Sequence, residues 1–197
     1  MAVPCPGCGR EYDVALFAFG RTISCACGRR VGIEARVRPA RAGEELRFQV
    51  DAMLGRLARW LRVLGFDAAW EADIPDERLV RSALAEERWI LTRDRKLLEE
   101  WRVPRAHLVA AERPFEQLRE VVRAFDLAAT ARPLRRCARC NALLEPAARA
   151  AVREHVPAGV MAREERFWRC QGCGHVYWRG SHVRRIERVL RKLGAIA

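Results

Sequence analysis

The chain has 197 residues, half of them hydrophobic, with 37 Lys and Arg against 25 Asp and Glu and a formal net charge of +12. That length suits one ordinary domain with small appendages, or two small domains. No apolar run approaches the roughly 20 residues needed to span a bilayer, and MAVPCPGCGR has no basic region ahead of an apolar stretch, so the expectation is a cytoplasmic protein with no membrane partner.

The positive surplus is nearly all arginine; the lysines are Lys96 and Lys192. A planar guanidinium forks onto phosphate and stacks on bases, so the surplus points to a polyanionic partner, nucleic acid first. A high-GC coding bias would explain arginine in place of lysine, but not the net sign.

Residues 1–34 carry CPGC (5–8) and CAC (25–27), each followed by a glycine, Gly9 and Gly28. Glycine suits the left-handed step of a metal knuckle. Cys5, Cys8, Cys25 and Cys27 thus read as one four-thiolate site, with a tighter second spacing than the usual CxxC. CARC and CQGC form a second set, Cys137, Cys140, Cys170 and Cys173, split by an excursion across 141–169. Eight cysteines also allow disulfides, but a reducing cytosol disfavours them. The spacing predicts two structural Zn²⁺ ions with no open coordination position. The stretch 35–45 reads as a linker, 46–130 as a cysteine-free domain, and 131–197 as the second ribbon.

Within 46–130 the pattern alternates. Strands are expected at 46–50, 66–72, 89–92 and 107–111, and helices at 52–65, 76–87, 94–101 and 114–127. Leu54, Leu57, Ala58, Leu61 and Leu64 recur at helical spacing. Such alternation predicts an α/β fold with a parallel sheet and right-handed crossovers.

Acids stand where these strands end. Asp51 closes the first, Asp73 and Asp76 follow the second, and Asp94 follows the third in LTRD (91–94). Ligands of open α/β sheets bind at those ends. Converging carboxylates repel unless a cation joins them, and hard oxygens suit Mg²⁺ or Mn²⁺. Helix capping is the competing account for Asp76 and Asp94. Arg56, Arg59 and Arg62 recur every three residues and form a candidate phosphate stripe, or else the solvated face of a helix. Arg93 and Arg95 flank Asp94 and could orient a phosphate or pair with acids.

VDAMLGRLARWLRVLGFD (50–67), ILTRDRKL (90–97), RCARCN (136–141) and VYWRGSH (176–182) together resemble the Mut-seven C-terminal ribonuclease (Mut7-C) domain family. The resemblance runs from about Phe48 onward. It implies a PIN-like α/β nuclease core followed by a zinc ribbon, and a metal-dependent ribonuclease acting on RNA. Asp51, Asp76 and Asp94 match its metal-site acids, with Asp73 beside them. The cysteines of 137–173 match its ribbon; Asn141, Tyr177, Trp178, Ser181 and His182 match without an evident role. Lys96 stands where related PIN-like domains often carry a further acid. That departure keeps a second class open, a zinc-ribbon RNA- or ribosome-binding protein without catalysis. The ribbon at 1–34 lies outside the resemblance and is expected to dock nucleic acid, ribosome or protein. The sequence leaves oligomeric state open.

Overall fold

A computed structural model describes residues 1–35 and 44–180, with residues 183, 188 and 191. Most of the expected linker lies outside the described residues, as do Ser181 and His182. The elements run β1 (Ala2–Pro4), β2 (Glu11–Asp13), β3 (Thr22–Ser24), β4 (Arg30–Gly32), β5 (Arg47–Val50), α1 (Gly55–Val63), β6 (Asp67–Trp70), α2 (Asp76–Ala85) and β7 (Trp89–Thr92). They continue with α3 (Arg95–Glu100), β8 (Ala106–Leu108), α4 (Pro114–Ala124), β9 (Leu144–Ala147), α5 (Arg149–Val152), α6 (Ala158–Met161), β10 (Phe167–Cys170) and β11 (Val176–Trp178). No helix among the described residues is long and apolar enough to cross a membrane.

The alternation read from 46–130 is present. The sheet order is β6-β5-β7-β8, and β5–β7 and β7–β8 pair in parallel. Strand β7 is an apolar run, WILT, with Ile90, Leu91 and Thr92 all buried. The order reverses about β5, so the carboxyl ends of β5 and β7 are the topological switch point. The helix expected at 52–65 begins instead as a 3-10 turn, Ala52–Leu54, and becomes α-helical at Gly55.

The chain forms two compact units, each built from two stretches. Residues 1–54 and 70–109 form the first; residues 55–69 and 110–197 form the second. The segment 46–130 contributes to both.

In the first unit, Ile74, Leu79, Val80, Ala83, Ile90, Leu97 and Trp101 form one core cluster. Full burial of a Leu or Ile side chain contributes about 1.5–3 kcal/mol. The amino-terminal ribbon consists of hairpins β1–β2 and β3–β4, joined by a 3-10 segment, Val14–Gly20. It is bound to the body of its own unit. The Thr22 hydroxyl donates to the Glu99 carbonyl at 2.7 Å, the Arg102 amide to Gly20 O at 2.6 Å, and the Ala35 amide to Arg102 O at 2.9 Å. The Arg81 guanidinium lies 4.5 Å from the Phe19 ring centroid. Gly20 has φ 79°, and a Cβ there would stand 2.6 Å from Arg102 O, so only glycine fits this close approach.

In the second unit, α1 packs against α4. Leu57, Ala58, Leu61 and Leu64 are fully buried, the face that the helical spacing predicts. Gly65 ends the helix region at φ 93°, and a Cβ would stand 2.1 Å from Arg132 O. The carboxyl-terminal ribbon is an antiparallel sheet, β11-β10-β9. The excursion between its knuckles folds into β9, α5, a 3-10 turn and α6. Val152, Val156, Phe167 and Val176 form its core.

Candidate active site and metal centres

The four strand-end acids, Asp51, Asp73, Asp76 and Asp94, belong to the first unit, and the strand pairing fixes Asp51 and Asp94. The Asp51 amide donates to Leu91 O at 3.0 Å, extending the β5–β7 ladder by one residue. The carboxylate of Asp51 is buried, and the Thr92 hydroxyl donates to its Oδ2 at 2.5 Å. That same hydroxyl oxygen accepts from the Asp94 amide at 2.9 Å. Thr92, fully buried at the end of β7, therefore joins Asp51 to the backbone of Asp94.

Capping explains Asp94 in part. It is the N-cap of α3, and its Oδ1 accepts from the Lys96 amide at 2.8 Å. One oxygen serves the helix, and a carboxylate has a second. Capping does not explain Asp76: Pro75 is the N-cap of α2 and Asp76 is the first helical residue. Burial, then the charges of Asp94, Asp51 and Glu100, push the Asp76 carboxyl above the ordinary carboxylate range, while Lys96 pulls it down. Asp76 thus feels the charges of Asp94, Asp51 and Glu100. Glu100 also pairs with Lys96 at 3.6 Å. Asp73 is exposed in the loop before α2, at φ 57°.

Asp51, Asp76 and Asp94 do not close into a compact ligand cluster. Among the described residues, the groups of three or more ligand-type atoms within 4.8 Å of one another are the two four-cysteine sets. The carboxylate set offers hard oxygens and mutual repulsion, the donor chemistry that Mg²⁺ or Mn²⁺ satisfies. Thr92 and Glu100 are the residues that sequence reading missed. A threonine closing an apolar strand two residues before an acid was a usable signal for Thr92. Glu100 follows Lys96 by one helical turn, and the acid at that end of α3 was readable only with the register known.

The cysteines close into two compact clusters. In the first, Sγ atoms of Cys5 and Cys27, and of Cys8 and Cys25, lie 3.5 Å apart. In the second, Cys137 and Cys173 lie 3.6 Å apart and Cys140 and Cys170 3.3 Å. All eight are free thiols. Sulfurs around a tetrahedral ion with bonds of about 2.3 Å stand roughly 3.8 Å apart, close to these separations. In each set one cysteine of each knuckle is buried and one exposed. Amide and hydroxyl donors already favour thiolate: the Cys27 amide and the Tyr12 hydroxyl lower Cys25 to about 6. Burial raises Cys137, but the Tyr177 hydroxyl and the Cys140 and Arg139 amides outweigh it and lower it to about 7. Burial and the neighbouring thiols push Cys140 up to about 12. Four packed thiols resist joint ionisation without a cation among them.

In all four knuckles the residue after the second cysteine has positive φ and its amide donates to the first cysteine's carbonyl. These residues are Gly9 (74°), Gly28 (83°), Asn141 (70°) and Gly174 (70°). The short Cys25–Cys27 knuckle keeps the positive φ but closes one residue sooner, with the Gly28 amide donating to Cys25 O at 2.9 Å. Asn141 replaces glycine because its side chain is used. Its Nδ2 donates to Asp67 Oδ1 at 2.7 Å, and its Oδ1 accepts from the Ala68 amide at 3.1 Å. Arg136 pairs with the other oxygen of Asp67 at 3.2 Å.

Arg62 corrects the expected phosphate stripe. Its residue is buried; Nε donates to Ala68 O at 2.7 Å and a terminal nitrogen to Arg139 O at 2.9 Å. Burial lowers its pKa, and the Cys137 and Cys140 charges act against that. Arg62 thus faces inward and offsets cysteine charge, because its helix position lies on the buried side beside Leu61. Arg56 and Arg59 are exposed, as are Arg93 and Arg95.

The family model of the Mut7-C RNAse domain matches residues 46–190. Neither a curated protein nor a solved structure matches the chain.

Proposed function

The chain belongs to the Mut7-C RNAse domain family, and from that premise we propose that it hydrolyses RNA phosphodiester bonds with the aid of a divalent metal ion. Asp51, Asp76 and Asp94 would hold Mg²⁺ or Mn²⁺, with exposed Asp73 assisting at the rim. The observation that carries the proposal is the Thr92 hydroxyl, which joins the buried Asp51 carboxylate to the Asp94 backbone at the ends of β5 and β7, with Asp76 feeling both charges. Such a set is poorly matched to itself and well matched to a cation. The ion would supply an activated water and neutralise charge on the phosphate.

The chain's own residues do the positioning. Thr92 fixes the buried Asp51 carboxylate and the backbone of Asp94. Asp94 in turn fixes the start of α3. Arg56, Arg59, Arg93 and Arg95 are the exposed cations assigned to the RNA backbone. The two four-cysteine sets would hold structural Zn²⁺.

A second reading rests on Lys96. It stands beside the acids and pairs with Glu100, which weakens a metal site and favours an RNA-binding module. Cleavage of labelled single-stranded RNA with Mn²⁺ or Mg²⁺ separates the two, using Asp51→Asn and Asp94→Asn purified identically. Loss of cleavage in both variants supports the nuclease; RNA binding without cleavage by any of the three supports the module.

A further inference from the structure

A cavity of about 1030 Å³ opens within the second unit, between α1 and the carboxyl-terminal ribbon. It stands at the upper end of the ~300–1,000 Å³ of ordinary ligand pockets. Arg56, Arg59 and Trp60 reach it from α1, Arg163 from the end of the excursion, and Tyr177 and Trp178 from β11. Arg56, Arg59 and Arg163 are exposed, and among the described residues none of the three has an ion-pair partner. Among the described residues one acid, Glu164, also lines the cavity.

The aromatic side is held in place. The Tyr177 hydroxyl lies 3.0 Å from Cys137 Sγ, so the ring is pinned to the second cysteine set. His175 meets it edge-on, with centroids 4.9 Å apart at 81°. Gly180 leaves room at the edge of Trp178, where a Cβ would come within 2.6 Å of Nε1. Exposed guanidinium groups beside positioned aromatic rings are the donor set that single-stranded nucleic acid uses: phosphates on the cations, base faces on the rings. A duplex hides its base faces, and an acidic peptide would leave the rings unused.

We infer that this cavity is a binding site for single-stranded RNA, taking the phosphates on Arg56, Arg59 and Arg163 and stacking bases on Trp60 and the β11 aromatics. It rests on the reading of the chain as an RNA-acting protein, and it deepens that reading by giving the strand a place of its own on the second unit. Ribbon and α1 would then form an RNA-holding surface, beyond the structural task of the zinc.

The test uses the full chain with its zinc and no added Mg²⁺ or Mn²⁺, so that RNA is bound and not cut. Anisotropy of a labelled oligouridylate about 12 nucleotides long, within the usual site sizes, reads the affinity. Arg56→Gln/Arg59→Gln should weaken binding about tenfold or more and flatten the slope of log K against log salt by about 1.4, since each lost phosphate contact on a single strand is worth about 0.7. Trp60→Leu should weaken binding about fivefold or more with the salt slope unchanged. Zinc content and thermal midpoint confirm that each variant is folded. Wild-type affinity in folded Arg and Trp variants overturns the site, as does equal affinity for a duplex of the same length. Affinity lost in Asp51→Asn but retained in the groove variants also overturns it, placing the strand at the carboxylates. Absence of cleavage with these losses intact refutes the nuclease and leaves the groove standing.

Discussion

Asn141 offers a sharp test of how the second ribbon is joined to the strand that follows α1. Its backbone sits at φ 70°, where the other three knuckles place glycine. Its side chain bridges Asp67 and the Ala68 amide at 2.7 and 3.1 Å. Ala68 is fully buried, so its amide has no recourse to water once the acceptor is gone. Asn141→Ala would leave that amide unpaired, at about 1–3 kcal/mol, and would place a Cβ without a stabilising side chain in the left-handed region, at about 1–2 kcal/mol. Asp67 keeps Arg136 at 3.2 Å, which limits the loss on its side. The expected total is about 2–5 kcal/mol, a large part of a typical domain stability of 5–15 kcal/mol. Asn141→Gly removes the same hydrogen bonds without the backbone strain, so it should be more stable than Asn141→Ala by about 1–2 kcal/mol. Asn141→Asp keeps the acceptor but sets a second carboxylate against Asp67, so its deficit should shrink as pH falls through the carboxylate range. Urea unfolding in zinc-buffered solution reads all three. The reasoning fails if the alanine variant matches wild type within about 0.5 kcal/mol, or if the glycine variant is the less stable of the pair.

Thr92→Val should cost about 2–4 kcal/mol, because it leaves the Asp94 amide unpaired and Asp51 without its donor; RNA cleavage should fall about 10–100-fold as the acids lose register, and wild-type stability with wild-type cleavage would contradict this. Asp76→Asn should be more thermostable than wild type at neutral pH. The folded-state pKa of Asp76 is raised, so its contribution to stability is present below the unfolded pKa and lost as pH rises through the folded value. Near pH 3 both forms are neutral, and the melting difference should vanish there. Added Mg²⁺ should narrow the gap at neutral pH, and a less stable variant at that pH would refute the electrostatic account. Zinc analysis should find two ions per chain, and chelation should unfold both ribbons, since Cys5, Cys25, Cys137 and Cys170 are buried. Retention of far-UV and near-UV circular dichroism after complete zinc loss would contradict the two sites.

Much of the core was legible in the sequence because it obeys simple periodicities. WILT reads as a buried strand and is one; Leu57, Leu61 and Leu64 mark the buried face of α1. The cysteine pairs read as two sets because knuckle spacing is local. What was not legible depends on long-range contact. Arg62 shares the spacing of Arg56 and Arg59, and only its contacts with Ala68 O and Arg139 O show that it lies on the buried side. Thr92 looks like a β-branched strand residue until the register with β5 brings Asp51 beside it. Asn141 matched a family motif without a reason until Asp67 and Ala68 were found against it. The 3-10 segment at Val14–Gly20 carries no periodic signal, and it is held by backbone contacts near Gly20 and Arg102.

The central claim is that Asp51, Asp76 and Asp94 hold one catalytic divalent ion. Electron paramagnetic resonance of free Mn²⁺, titrated against zinc-loaded protein alongside RNA cleavage on the same samples, tests it most directly. The account predicts one Mn²⁺ site in wild type, with cleavage rising as that site fills. It predicts loss of both in Asp51→Asn and Asp94→Asn while two zinc ions remain. Equal Mn²⁺ binding in all three proteins, or cleavage that persists in the folded variants, would contradict it.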